Sequence, residues 1–259
     1  MLFRSYRVTD PAQKPVIRYY SMPYDQSETP KPVAGADGAE DVEYPGPRGK
    51  YLAYVRGDST ASGPVNINSD ILIAPLDSPQ ALRPLASNPE VRERMPRFSP
   101  DGQWLAFNGV ALRQPGVSNP TALVSILYVR PVQGGALTQV SIDQGNSPMW
   151  SRDGKTLYYF SGGGTAPLIA AHVSVANGQF VVGPRDTVFT RGSPGTSFWR
   201  PDGRSLADIL PAGDIVYVTN ATPTATTASS AAPPPAPVFQ SNLIAIVNWL
   251  GLAAAGPPR

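Results

Sequence analysis

Apolar positions in this chain come in short runs, set apart by clusters of glycine, proline and polar residues. Leu2 to Val8, Val16 to Met22, Lys50 to Tyr54, Asp70 to Ala74, Trp104 to Phe107, Ser125 to Val129, Thr156 to Tyr159 and Leu168 to Val173 are four to seven residues long and rich in β-branched and aromatic side chains. Runs of that length and composition, bounded by turn-forming residues, predict strands. The 3.6-residue periodicity of an amphipathic helix is missing, so helix is predicted to be scarce.

The runs recur in one frame. Pro96-Arg97-Phe98-Ser99-Pro100-Asp101-Gly102-Gln103-Trp104-Leu105-Ala106-Phe107 returns as Pro148-Met149-Trp150-Ser151-Arg152-Asp153-Gly154-Lys155-Thr156-Leu157-Tyr158-Tyr159. It returns again from Ser197 through Trp199, Asp202, Gly203 and Leu206, and a worn copy runs from Glu43 to Tyr54. The glycines at 49, 102, 154 and 203 are spaced by 53, 52 and 49 residues. In each full copy an aromatic (Phe98, Trp150 or Trp199) ends a first strand. The Asp-Gly pair (Asp101-Gly102, Asp153-Gly154, Asp202-Gly203) supplies positive φ angles for a hairpin turn. Leu105, Leu157 and Leu206, like Leu52, fall at equivalent buried positions of the returning strand. These residues are expected to be structural, the Asp-Gly pairs as turn chemistry and the aromatics as packing between repeats.

Third strands follow at Asp70 to Ala74, Ser125 to Val129 and Leu168 to Val173. Turns at Gln133-Gly134-Gly135 and Asn177-Gly178-Gln179 then lead to outer strands, Ala136 to Ser141 and Phe180 to Val182. Four strands per repeat at a period near fifty predict an all-β fold, a β-propeller. Four four-stranded blades are expected at about 40–95, 96–144, 145–193 and from 194 onward. The segments before residue 40 make a partial N-terminal blade, either closing the ring with the other end of the chain or leaving it open. Insertions at Asp58 to Ser69 and Val110 to Thr121 are expected to project from one face.

Composition narrows the function. Charged residues are 15 % of the 259, and 21 Lys plus Arg against 19 Asp plus Glu leave a net charge of +2. That gives no basic footprint for nucleic acid. No run is apolar enough for a membrane span. With no cysteine, disulfides and thiolate chemistry are excluded and the compartment is not fixed; the chain is expected to be soluble, and periplasmic or extracytoplasmic if an upstream signal or anchor is missing from it. Residues 1–219 are expected to form the propeller. Residues 220–237, rich in Ala, Thr, Ser and Pro, have nothing to bury and are expected to be a disordered loop. Residues 238–259 return to the propeller through a terminal strand, Asn242 to Leu250.

Candidate chemistry is sparse. His172 is the only histidine, and its place in a third strand favours a structural role. There is no Gly-x-Ser-x-Gly elbow and no kinase phosphate loop, His-Arg-Asp or Asp-Phe-Gly. No cofactor or metal motif is present, and no catalytic set assembles from spacing.

The Ser-Pro-Asp-Gly units, their Leu-Ala-Phe strands and the Gly-Gly turns resemble the Pro-Asp-Gly propeller repeats of TolB-like proteins. The tail Ile244-Ala245-Ile246-Val247-Asn248-Trp249-Leu250 resembles the C-terminal end of bacterial propellers that follow a serine/threonine kinase domain. It departs from them after Leu250. The resemblance implies a non-catalytic propeller within a larger bacterial protein, acting as an interaction or ligand-sensing module for a protein or peptide partner. The alternative is an enzyme-associated propeller, either the gating domain of a serine peptidase or a glycosidase with carboxylates in its channel.

Overall fold

The computed structural model describes residues 2–8, 16–22, 29–33, 35–36, 39–43, 49–57, 69–112, 123–162, 167–189, 207–209 and 215–217. They lie in one compact body, Met1–Ala221; a second, Thr222–Arg259, falls outside the described residues, as do the expected loop at 220–237 and the terminal strand. The described residues are all-β, with no helix and therefore none long and apolar enough to cross a membrane.

An N-terminal sheet is built from β1 (Leu2–Val8), β2 (Val16–Met22) and β3 (Lys31–Pro32), paired in that order. The first full repeat holds β4 (Asp41–Glu43), β5 (Tyr51–Gly57), β6 (Ser69–Pro75) and β7 (Arg83–Ala86). The second holds β8 (Arg92–Phe98), β9 (Trp104–Leu112), β10 (Leu123–Pro131) and β11 (Thr138–Gln139). The third holds β12 (Asn146–Trp150), β13 (Thr156–Phe160), β14 (Leu168–Ala176) and β15 (Gln179–Phe189). A last pair is β16 (Ala207–Ile209) with β17 (Ile215–Tyr217). Within each repeat the strands pair antiparallel in chain order. A single parallel bridge, Ser69 to Arg92, joins the first repeat to the second.

The middle strands are apolar on both faces because a neighbouring repeat covers each side. Ala53, Val55, Ile71 and Ile73 of the first repeat pack against Phe98, Leu105 and Phe107 of the second. The other face of the second repeat, with Trp104, Ala106, Leu127 and Val129, meets Leu157, Tyr159, Ala171 and Val173 of the third. Tyr19 and Val33 cover Leu52 and Tyr54 at one end, and Ile209 packs on Met149, Phe160 and Leu168 at the other. Leu52, Leu105 and Leu157 are all buried. Side chains also tie backbone across the seams: Arg83 donates to the Val132 carbonyl at 2.6 Å, Arg185 to that of Val140 at 2.6 Å, and Arg130 to that of Leu85.

The Asp-Gly turns differ from the expected form. Only the glycine takes a positive φ, +70° at both Gly102 and Gly154. Gly102 N–H donates to the Ser99 carbonyl at 2.8 Å, and Gly154 N–H to that of Ser151 at 3.0 Å. The aspartate instead caps the loop, Asp101 Oδ1 accepting from Ser99 Oγ and the Gln103 N–H, and Asp153 Oδ1 from Ser151 Oγ and the Lys155 N–H. This is the side-chain capping that favours Asp in turns, with left-handed backbone confined to the residue that tolerates it.

Some boundaries also move. The first strand of the second repeat starts at Arg92 rather than at 96, because its pairing with β9 continues past Pro96, while that of the third starts at Asn146, next to the expected 145. The outer strand expected at Ala136 to Ser141 shrinks to Thr138–Gln139, and the one expected at Phe180 to Val182 lengthens to Gln179–Phe189. Ser69 and Val110 to Leu112 belong to strands, while the rest of both insertions lies outside the described residues.

Candidate functional site

The first strands of the repeats carry charge where the middle strands carry aliphatics. Glu40 precedes β4 and Glu43 ends it, and Arg92, Glu93, Arg94 and Arg97 lie on β8. Arg92 pairs with Glu40 and Arg97 with Glu43, each at 3.0 Å, with side chains about a quarter to a third exposed. Half-solvated pairs of this kind are worth about 0–1 kcal/mol each and serve mainly to align the two strands.

Glu93 is different. It is 4 % exposed, facing the seam between the first and second repeats beside their single parallel bridge. Its carbonyl accepts from Ser69 Oγ at 2.9 Å, and its Oε1 accepts the Asn88 N–H at 3.1 Å. Its Oε2 is buried with no hydrogen-bond partner. Burial pushes the carboxyl up to about 7, the Asn88 N–H opposes that shift, and the Asp70 carboxylate adds to it. Tyr128, whose phenol is raised by its own burial and by Glu93, lies on the same side. A carboxylic acid that exchanges its proton near neutrality is the kind of group acid–base chemistry requires.

Two further features fall at the same end of the strands. Asn108 is 1 % exposed, its Nδ2 donating to Ser125 Oγ at 2.8 Å and to the Gly145 carbonyl at 2.5 Å while its Oδ1 has no partner. Met95 and Ser147 have φ of +54° and +55°. Each stands seven residues before its repeat glycine and immediately before a proline, at the register shifts of β8 and β12. Left-handed backbone at non-glycine residues costs about 1–3 kcal/mol each and gathers at functional sites. Orphaned buried polar atoms and two of the three left-handed non-glycine residues therefore fall in the strand-start half of the molecule, the third, Asn177 at +52°, lying in the turn between β14 and β15.

The residues singled out by the repeat lie elsewhere. Asp101, Gly102, Asp153 and Gly154 form the turns at the opposite end, Phe98, Leu105 and Leu157 are core, and Trp150 is half-buried with its indole N–H on the Arg97 carbonyl at 3.1 Å. Trp199, Asp202, Gly203 and Leu206 lie outside the described residues. His172 Nε2 sits 2.7 Å from Asp186 Oδ2 on the exposed surface of the third repeat. Among the described residues no cluster of three or more His, Cys, Asp or Glu could hold a metal ion. Glu93 escaped the repeat pattern; the signal for it was position alone, nine residues before Gly102, as Glu40 is nine before Gly49.

No protein-family model matches the chain, and no curated protein matches it. Solved structures do align with it. Kuenenia stuttgartiensis hydrazine synthase aligns at 14 % identity and a TM-score of 0.49, over 80 % of this chain and 65 % of that one. The periplasmic gluconolactonase PpgL of Pseudomonas aeruginosa aligns at 17 % and 0.41, over 84 % and 65 %. A Bacteroides uniformis protein assigned as a 6-phosphogluconolactonase aligns at 14 % and 0.36, over 82 % and 72 %. The chain thus spans about 65 % of the length of the first two. The likeness is one of all-β, propeller-like architecture. The expectation of a non-catalytic interaction module is set aside, since the structures that align are of proteins described as a synthase and lactonases, a likeness of fold alone. The lack of a familiar catalytic motif, which with the repeat and its resemblance carried that expectation, excludes nothing.

Proposed function

We propose that this chain is the propeller part of an enzyme, with its repeats as blades, first strands innermost, and substrate handled where those strands begin. The N-terminal sheet is a partial blade and β16–β17 belong to a fourth full one, in keeping with the TolB-like resemblance of the Pro-Asp-Gly units. Glu93 is the proton-transfer group. The observation that carries this reading is its buried carboxyl, with one oxygen unpaired and its titration moved to about 7. A group poised there delivers a proton to a leaving oxygen as the C–O bond breaks and, as carboxylate, takes one from the attacking water. The class of reaction is hydrolysis of an acyl or glycosidic bond, the glycosidic one being the channel-centred alternative drawn from the sequence.

The test is turnover of a panel of lactones, esters and glycosides by the full chain and by Glu93→Gln. Cleavage of at least one class, reduced about 100-fold or more in the variant, is expected of a lost acid–base group. Equal turnover by both proteins, or none on any substrate, overturns the reading.

A further inference from the structure

At the turn end, away from Glu93, a cleft of about 570 Å³ opens between the second and third repeats. Its size is that of a small-molecule site. Trp104 and Phe180 form the floor with ring centroids 5.1 Å apart, and Trp150 stands edge-on to Phe180 at 6.0 Å and 84°. The bond from Trp150 Nε1 to the Arg97 carbonyl locks that ring in place. The rim carries two carboxylates and two cations, Asp101 and Asp153 against Arg152 and Lys155. Both carboxylates spend Oδ1 on capping their own turns, which leaves Oδ2 of each free among the described residues.

We infer that this cleft binds an uncharged, hydroxyl-bearing ring, the chemistry of a saccharide. Balanced rim charges give no net attraction to an ion. Fixed aromatic rings suit the C–H face of a sugar ring, while two rigid carboxylate oxygens and two cationic donors suit its hydroxyls. The site is independent of Glu93, at the other end of the strands.

Isothermal titration with methyl glucoside, N-acetylglucosamine, cellotetraose and xylotetraose tests it, using wild type, Trp150→Ala, Asp153→Asn and Glu93→Gln. Asparagine preserves the turn cap, so Asp153→Asn keeps its fold even where Trp150→Ala does not. Saturable binding of at least one sugar is expected, about tenfold weaker in Asp153→Asn through loss of a charge-assisted hydrogen bond, and unchanged in Glu93→Gln. No saturable heat with any of the four sugars, or equal affinity in Asp153→Asn and wild type, overturns the inference.

Discussion

Replacing Glu93 by glutamine keeps the shape of the side chain and removes its charge. In the folded protein the carboxyl titrates at about 7 against 4.5 for the free group. At about 1.4 kcal/mol per pKa unit, that difference corresponds to about 3 kcal/mol, with little solvent discount at 4 % exposure. A raised folded pKa means that the native state holds the proton more tightly than the unfolded chain. The stabilisation is therefore complete below 4.5, is lost as pH rises from there through 7, and stays lost above it. The substituted glutamine has no such dependence, and its amide sits where the protonated acid sits. The variant should match wild type near pH 4 and exceed it by up to about 3 kcal/mol near pH 8.5. Urea unfolding followed by tryptophan fluorescence across that range reads the difference directly. Asp153 does not confuse it, because the Ser151 hydroxyl and the Lys155 N–H hold its carboxyl below the usual range and its contribution fades only at lower pH. A gap between the two proteins that stays constant with pH would refute a Glu93 that is buried and neutral.

Leu157→Ala empties a fully buried position between the second and third repeats and should cost about 2–5 kcal/mol in denaturant unfolding. Gly154→Ala meets only Pro100 Cδ at 3.7 Å, so its loss should be backbone strain alone, about 1–2 kcal/mol, and Gly154→Asn should lose less. Tyr54 is fully buried, its phenol pushed up to about 12; phenolate absorbance should show a late tyrosine step there, with its share of stability lost between pH 10 and 12.

The hairpins, their glycines and the buried leucines were legible because each depends on residues within a few positions of one another. Asp101 and Gly102 need only Ser99 and Gln103 to make their turn. The burial of Glu93 was not legible. Val91-Arg92-Glu93-Arg94 reads as a solvated run, and it is Ser69 and Asp70, more than twenty residues earlier, that close over it. Met95 and Ser147 were hidden for a different reason. A residue before proline is expected to be extended, whereas here the register shift forces it left-handed in two successive repeats. The start of the second repeat reads four residues late, at 96 against Arg92, because the repeating motif marks where a first strand ends, and its start is set by pairing with the next strand.

The proposal that Glu93 moves a proton is tested most directly by the pH dependence of kcat/KM on whichever substrate of the panel is cleaved best. Wild type should show a limb with an apparent pKa near 7, falling as pH rises and the acid is lost. Glu93→Gln, shown to be folded by urea unfolding, should be slow and should lack that limb. A wild-type profile with no inflection between pH 6 and 8, or one that the variant reproduces at full rate, would contradict the assignment.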